Sequence, residues 1–205
     1  MKRLFFIVLM IAAMLLESKA FAAEVKKYAV FKTSEGDVLV EFFPEIAPQH
    51  TEQIGRLIQA GLYDGVPIHR IERGFVAQVN NVEWRSVPLT PDQKAIIKKI
   101  PAEFSDTLHV RGILSMAHAD NDINSAESSF SFLLGPAPHL DGKYTIFAKV
   151  IHGLEVLDRL EKVPVDARHK PLENIQILSA VLVDKNALAS LHLDLPPSES
   201  PESAP

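Results

Sequence analysis

The 205-residue sequence contains no cysteine. Disulfide bonds, thiol nucleophiles and zinc–thiolate sites are all excluded, because each of them requires a cysteine sulfur. A chain without disulfides has to be held together by its hydrophobic core, and 47% of the residues are hydrophobic. The sequence therefore predicts one domain with a core of its own.

Positive net charge and a membrane-length apolar run are missing as well. The formal net charge is −5 at pH 7, which argues against unspecific binding to nucleic acid. Residues 4–16 form an apolar run of 13 residues, shorter than the ~20 that a membrane-spanning helix needs. We expect neither a nucleic-acid partner nor a stable membrane insertion.

Motifs for several other chemistries are absent. The sequence has no glycine-rich phosphate-binding motif, no pair of histidines spaced for one helix face, and no nucleophile elbow around Ser128, Ser129 and Ser131. Residues 120–124 alternate oxygen-bearing side chains but lack the glycine and the distal glutamate of a calcium loop. No cofactor and no metal are expected.

The N-terminus has the pattern of a secretory signal. Lys2 and Arg3 precede the apolar run, and the small residues Ala20 and Ala22 fit a cleavage site after position 22. We predict that residues 1–22 are a signal peptide and that the protein is periplasmic or secreted. An uncleaved anchor is the alternative; a lipoprotein anchor would need a cysteine.

The other end of the chain has a different composition. Proline, serine and glutamate dominate its last ten residues, and such a segment buries too little apolar surface to remain ordered. We predict a disordered tail over residues 186–205 and a folded domain over residues 27–184.

Hydrophobic patterns predict a β-rich domain with two main helices. β-Branched and aromatic runs bounded by turn residues indicate strands, and Thr90 with Pro91 and Gln93 has the pattern of a helix start. Many strands with two main helices are typical of a closed antiparallel barrel capped by helices. The predicted strands are 28–30, 38–43, 66–71, 75–79, 112–117, 130–134, 144–150 and 175–183, and the predicted helices are 48–60, 153–160 and a short extra helix near 91–99.

Five segments, in order, resemble the cyclophilin-type peptidyl-prolyl cis–trans isomerases. Residues 64–78 (DGVPIHRIERGFVAQ) resemble the segment that contains the catalytic arginine of the family, residues 111–117 (RGILSMA) its "SMA" strand, and residues 140–147 (LDGKYTIF) its "LDGKYTVFG" strand. Ala47-Pro48 and residues 153–156 match the openings of its two helices. The resemblance spans residues 28–183.

This resemblance implies an eight-stranded closed antiparallel cyclophilin-like barrel with a binding groove on its outer surface. The implied activity is rotation about the peptide bond that precedes proline, and the implied partners are proline-containing polypeptides. With the signal pattern, the chain is similar to exported bacterial members that aid protein folding. We expect it to be a monomer.

By the same resemblance, Arg70 is the catalytic residue. Rotation about the amide bond has a barrier of ~18–20 kcal/mol and requires no covalent chemistry. A guanidinium that hydrogen-bonds the prolyl nitrogen only in the twisted state lowers this barrier by differential binding. Strand alternation predicts that the neighbouring His69 turns to the opposite face, as a hydrogen-bonded structural histidine.

The resemblance also implies the residues of the substrate groove. Phe75 and Val76 would line the pocket for the proline ring, Gln78 would hydrogen-bond the substrate backbone or orient Arg70, and Ala117 would form the floor. The other groove positions that it implies are His118, Ser129, Ser131, His139, Leu140 and Tyr144.

Four of these positions depart from the family pattern, one of them being His118, which stands where the family usually has an asparagine. Aligned without gaps, Ser129 takes the place of a glutamine and Ser131 that of a phenylalanine that forms a wall of the proline pocket. A one-residue slip would bring Phe132 to that wall but would invert the strand. The missing ring removes roughly 1.5–3 kcal/mol of apolar contact, so weakened proline binding is expected. His139 replaces the tryptophan of cyclosporin-sensitive members, and weak cyclosporin binding is expected.

Two hypotheses from different classes follow. The first is a prolyl isomerase that acts on exported proteins with reduced activity, supported by Arg70, Phe75 and Gln78. The second is a catalytically weak binding module or chaperone that holds extended segments in the same groove, supported by Ser129 and Ser131.

Overall fold

The computed structural model describes residues 28–184 and 187–188. Eight strands, all paired antiparallel, close into a barrel in the order β1-β2-β7-β5-β6-β4-β3-β8. The predicted closed antiparallel barrel is confirmed. Its strands are β1 (Tyr28–Thr33), β2 (Gly36–Phe42), β3 (Val66–Glu72), β4 (Val76–Val79), β5 (Ile113–Met116), β6 (Phe130–Leu133), β7 (Ile146–His152) and β8 (Gln176–Val183).

Aromatic side chains fill the interior of the barrel. Phe31, Phe130, Phe132 and Tyr63 are fully buried, and the Phe31 and Phe130 ring centroids lie 5.5 Å apart. The Tyr63 hydroxyl donates a hydrogen bond of 2.8 Å to the Ser128 carbonyl oxygen, so this polar atom is satisfied inside the core. The barrel is thus a packed core, and a ligand has to bind on its outer surface.

Two helices cover the barrel, as predicted. The first of them, α1 (Pro48–Gln59), begins at its first-turn proline. The short extra helix, α2 (Pro91–Ala95), has the predicted capping box between Thr90 and Gln93. The second main helix is α3 (Leu154–Lys162). Helix α2 ends at Ala95 and is shorter than the predicted range 91–99; the carbonyl oxygen of its C-cap residue, Ile96, accepts a hydrogen bond from the Gln53 side chain of α1.

A glutamate from another part of the chain caps the N-terminus of α1. Its own N-cap residue, Ala47, offers no side-chain acceptor. The carboxylate of Glu103 accepts instead from the backbone N–H groups of Gln49 and His50, each at 3.1 Å. It also contacts the Nδ1 atom of the buried His50 ring at 2.7 Å. This carboxylate therefore fastens the segment after α2 to α1.

The predicted signal peptide, Lys27 and most of the predicted tail lie outside the described residues. Ala187 and Leu188 are described and are helical. Leu188, which falls within the range 186–205 predicted as a tail, is fully buried against Val30 and Leu39. Among residues 28–184 and 187–188, no helix is long and apolar enough to cross a membrane.

Candidate active site

An irregularity in β3 places Arg70 on the outer surface of the barrel. Ile68 pairs with Val79 but Arg70 pairs with Gln78, so β3 contains one extra residue. Ile68 and Ile71 are buried while His69 and Arg70 are both half-buried. A β-bulge of this kind breaks the alternation of side chains.

The prediction that His69 turns to the face opposite Arg70 is therefore wrong. His69 shares the outer face and lines a recess of about 360 Å³ beside the cleft that contains Arg70. Burial lowers the pKa of His69 below its usual value of 6.5, and a hydrogen bond with the Gln78 backbone acts in the opposite direction.

Four polar residues form a row across four strands on this outer face. Ser115 of β5 lies opposite Ser131 of β6, Ser131 lies opposite Gln78 of β4, and Gln78 lies opposite Arg70 of β3. Because the four residues are register partners, their side chains project from the same side of the sheet. This row is the floor of the candidate site.

Above the row lies a cleft of about 250 Å³. It brings together nine of the eleven predicted site residues. They are Arg70, Phe75, Val76, Gln78, Ala117, His118, Ser131, Leu140 and Tyr144. The cleft also contains three residues that the sequence did not indicate, Ser115, Met116 and Asp120.

The other two predicted residues lie at its border. Ser129 is buried, and its hydroxyl donates to the Val79 carbonyl oxygen at 2.7 Å; it lines the neighbouring recess together with His69. The exposed His139 ring packs against the Phe75 ring, with centroids 5.1 Å apart.

The guanidinium of Arg70 faces the apolar wall of the cleft. Its central carbon lies 5.5 Å from the centroid of the Phe75 ring, within the range of a cation–π contact. The same guanidinium forms an ion pair with Glu72, two residues along on the same face of β3. The Arg70 side chain remains 34% exposed, so it is positioned but still accessible from the cleft.

Ser131 faces the cleft, in agreement with the gapless alignment. Its neighbours on β6, Phe130 and Phe132, are fully buried in the barrel interior, and alternation leaves Ser131 on the outer face. The apolar part of the cleft is formed by Phe75, Val76 and Leu140. The short Ser131 side chain lies where an aromatic ring would complete this apolar surface.

A buried histidine links the floor of the cleft to its wall. His109 contacts the Ser115 hydroxyl through Nε2 at 3.0 Å and the Asp141 carboxylate through Nδ1 at 2.8 Å. Burial lowers the pKa of His109 below 6.5, although Asp141 opposes this effect. Asp141 follows the 3₁₀ turn Pro138–Leu140, so the link holds the Leu140 wall against β5. Sequence reasoning missed it because residues 109, 115 and 141 have no diagnostic spacing.

His118 ties together the two loops at the far end of the cleft. Its ring stacks on Tyr144, with centroids 4.2 Å apart and planes inclined by 18°. Its nitrogens lie 2.9 Å from the Ala119 carbonyl oxygen and 3.1 Å from the Lys143 carbonyl oxygen. These contacts fix the side of the cleft formed by Tyr144.

Nothing in this arrangement resembles a metal centre. Within the described ranges, no group of three or more histidine, aspartate or glutamate side chains is placed to hold a metal ion. What the cleft offers is a cationic hydrogen-bond donor beside an apolar pocket.

Comparisons with known proteins agree on one family. A family model described as cyclophilin type peptidyl-prolyl cis-trans isomerase/CLD matches residues 28–182. A peptidyl-prolyl cis-trans isomerase of Arabidopsis thaliana is 48% identical over 160 residues, which cover 76% of this chain and 70% of the relative. A probable peptidyl-prolyl cis-trans isomerase of Brucella abortus (strain 2308) is 36% identical over 149 residues, 70% of this chain and 76% of the relative.

A solved structure agrees with this result. The crystal structure of a cyclophilin type peptidyl-prolyl cis-trans isomerase of Cryptosporidium parvum, in the presence of the dipeptide Ala-Pro, superposes with a TM-score of 0.67 at 28% sequence identity. The match covers 77% of this chain and 99% of that chain.

Proposed function

The chain belongs to the cyclophilin-type peptidyl-prolyl cis–trans isomerases, enzymes that act on proline-containing peptides, and we propose that it isomerises X–Pro bonds of exported proteins, aids their folding, and does so with reduced activity. The observation that carries the proposal is the position of the Arg70 guanidinium, which lies 5.5 Å from the Phe75 ring centroid and shares its cleft with Gln78.

The cleft suits a proline ring better than a larger side chain. Phe75, Val76 and Leu140 present apolar surface, and Arg70 with Gln78 provides donors at its edge. A proline seated against the apolar side would bring its nitrogen towards Arg70.

Arg70 supplies what the twisted amide requires. In the planar ground state the prolyl nitrogen is conjugated and accepts hydrogen bonds poorly. When the bond twists, the nitrogen becomes basic, and a guanidinium can donate to it. This bond strengthens only in the transition state, so it accelerates rotation instead of merely tightening binding. Every ~1.4 kcal/mol of such stabilisation is a tenfold increase in rate.

Ser131 supports the proposal of reduced activity. A hydroxyl there removes apolar contact with the proline ring, worth roughly 1.5–3 kcal/mol for a complete side chain. The reacting bond would then be held less firmly against Arg70, so we expect a higher KM and a lower kcat for proline substrates.

Action on exported proteins rests on the N-terminal pattern of Lys2, Arg3, the apolar run over residues 4–16 and Ala20-Phe21-Ala22. We propose a periplasmic or secreted location on this ground alone. The test is the N-terminal sequence of the protein from a cell-envelope fraction, which we expect to begin at Ala23.

A binding module or chaperone is the second candidate, because Ser131 leaves an accessible groove with an incomplete proline pocket. The two candidates differ in the consequence of losing Arg70. Isomerisation depends on its transition-state hydrogen bond, whereas groove binding depends mainly on the apolar walls.

A protease-coupled prolyl isomerisation assay on the full chain separates these candidates. We expect acceleration over buffer that falls about 100-fold in Arg70→Ala, the typical cost of removing one transition-state donor, and rises about tenfold in Ser131→Phe. Arg56→Ala is the matched control, since Arg56 is an exposed arginine on α1 paired with Glu52. A wild type no faster than buffer, with peptide binding intact in Arg70→Ala, would favour the chaperone.

A further inference from the structure

A second apolar recess adjoins the cleft on the other side of Tyr144. We define this side recess by Phe104, Ile123 and Lys143, which lie outside the cleft, and by His118, Asp120 and Tyr144, which line both. Its volume is about 310 Å³. The stacked rings of His118 and Tyr144 form the partition between the two depressions.

The apolar walls of the side recess are accessible. Phe104 is 39% exposed and Ile123 is 48% exposed. Isolated surface hydrophobics are common, but two of them on one concave surface beside a binding cleft indicate a contact site.

Backbone hydrogen bonds hold both walls in place. The Glu103 backbone N–H donates to the Thr145 hydroxyl at 2.9 Å, and the Glu103 carboxylate caps α1, which fixes Phe104 next to it. Ile123 lies in a turn where the Ser125 backbone N–H donates to the Asp122 carbonyl oxygen at 3.1 Å. The Ala102 backbone N–H donates to the Asn124 side chain at 3.0 Å and joins the two walls. The recess is therefore formed before any ligand binds.

We propose that the side recess is a specificity subsite of the proposed isomerase, and that it takes an apolar side chain of the same polypeptide whose proline occupies the cleft. The continuity of the two depressions identifies the occupant, since three residues line both. In an extended chain, side chains two residues apart point the same way about 6.6 Å from each other. A leucine, methionine or phenylalanine two or three residues from the proline would reach Phe104 and Ile123.

The charges at its rim refine this preference. The Lys143 ammonium donates a hydrogen bond of 3.2 Å to the His139 carbonyl oxygen. The Asp120 carboxylate lines both depressions. An aspartate or glutamate of the substrate would meet this carboxylate, so acidic residues are disfavoured where apolar residues are preferred.

The test uses the full chain and five eight-residue peptides. Each has one proline in an alanine background; four carry a leucine two or three residues before or after the proline, and the fifth carries none. For at least one leucine position we expect kcat/KM and NMR-measured affinity to rise about fivefold to tenfold over the all-alanine peptide, as expected when half or more of a leucine side chain is buried. Aspartate at that position should lower both values.

Phe104→Ser with Ile123→Ser should remove the leucine preference and leave the all-alanine peptide unchanged. Leu178→Ser is the matched control, because Leu178 is 52% exposed on β8 and lines neither depression. Circular dichroism verifies that the variants are folded.

Two different results would separate this inference from the function on which it rests. Acceleration of every peptide without a leucine preference, or a preference that survives the double substitution, overturns the subsite and leaves the isomerase intact. No acceleration of any peptide overturns the proposed function, and the NMR affinities then still decide the subsite. Equal affinities for leucine and alanine peptides would reject it.

Discussion

Arg70 and Glu72 show how a single residue pair can determine the chemistry of the cleft. The guanidinium is a long, flexible group, and the Glu72 carboxylate on the same face of β3 restricts it. The role of Glu72 was not predicted, because its ion pair with Arg70 on the outer face is visible only in the structure. We interpret Glu72 as a positioning residue that keeps the guanidinium above Phe75.

Glu72→Gln is expected to lower kcat about threefold to tenfold with little change in KM. The guanidinium would have to be ordered during the reaction, which costs about 0.5–1.5 kcal/mol for a side chain of this type, and its bond to substrate exists only in the transition state. Steady-state kinetics on an X–Pro peptide measure this split. Glu72→Asp should recover part of kcat, and Glu173→Gln, at an exposed glutamate away from the cleft, should change nothing. A rise in KM alone would contradict the positioning role.

At the scale of elements, the register of the strands determines which side chains line the cleft. The bulge in β3 brings His69 to the outer face beside Arg70, contrary to simple alternation. In β6 the alternation is regular, so Ser131 faces the cleft while Phe130 and Phe132 enter the core. The sequence pattern predicted the regular alternation of β6 but not the bulge of β3. The bulge is defined by the pairing of β3 with β4, and the sequence of β3 alone does not indicate it.

The contact between Glu103 and α1 leads to a prediction about stability. Glu103→Ala removes the only described side-chain cap of this helix start and leaves the buried His50 Nδ1 without its acceptor. We expect the free energy of unfolding to fall by about 2–4 kcal/mol, the sum of a lost cap and an unsatisfied buried polar group. Denaturant titration measures it.

Glu52→Ala is the control for this substitution. Glu52 lies on the same helix and pairs with Arg56 one turn along, and both side chains are more than half exposed. An exposed pair of this kind contributes less than about 0.5 kcal/mol. If both substitutions cost the same, Glu103 does not act as a cap.

For the molecule as a whole, the buried histidines predict acid sensitivity. Burial lowers the pKa of His50, His69 and His109 below 6.5 in the folded state. Below pH 6.5 the unfolded chain therefore binds protons that the folded chain does not, and stability decreases as pH falls. The stability associated with these groups is fully present above pH 6.5 and is lost as pH falls towards their folded pKa values.

Carboxylates extend this trend to lower pH. Hydrogen bonds lower the pKa of Glu103, in spite of its partial burial, and that of Asp141, so the stability they contribute is lost when the folded protein has to accept their protons. Chemical denaturation at several pH values should show a decline from pH 7 to pH 5, with a slope of at most about 1.4 kcal/mol per pH unit for each histidine. His109→Asn should make the decline shallower. A stability that is constant over this range would contradict the assignment of neutral buried histidines.

The sequence by itself determined the family, the barrel, its two main helices and most residues of the cleft. The reason is that this information is local: alternation marks strands, a proline and a capping pattern mark helix starts, and residues 64–78 carry Arg70, Phe75, Val76 and Gln78 within one β-hairpin. Ser131 could be placed because β6 alternates regularly.

Only the tertiary structure decided the rest. The link from Ser115 through His109 to Asp141, the cap that Glu103 provides for α1 and the side recess between Phe104 and Ile123 each join residues from separate segments. Their chemistry depends on distances between atoms that closure of the barrel and packing of its loops bring together, and no spacing along the chain encodes these distances.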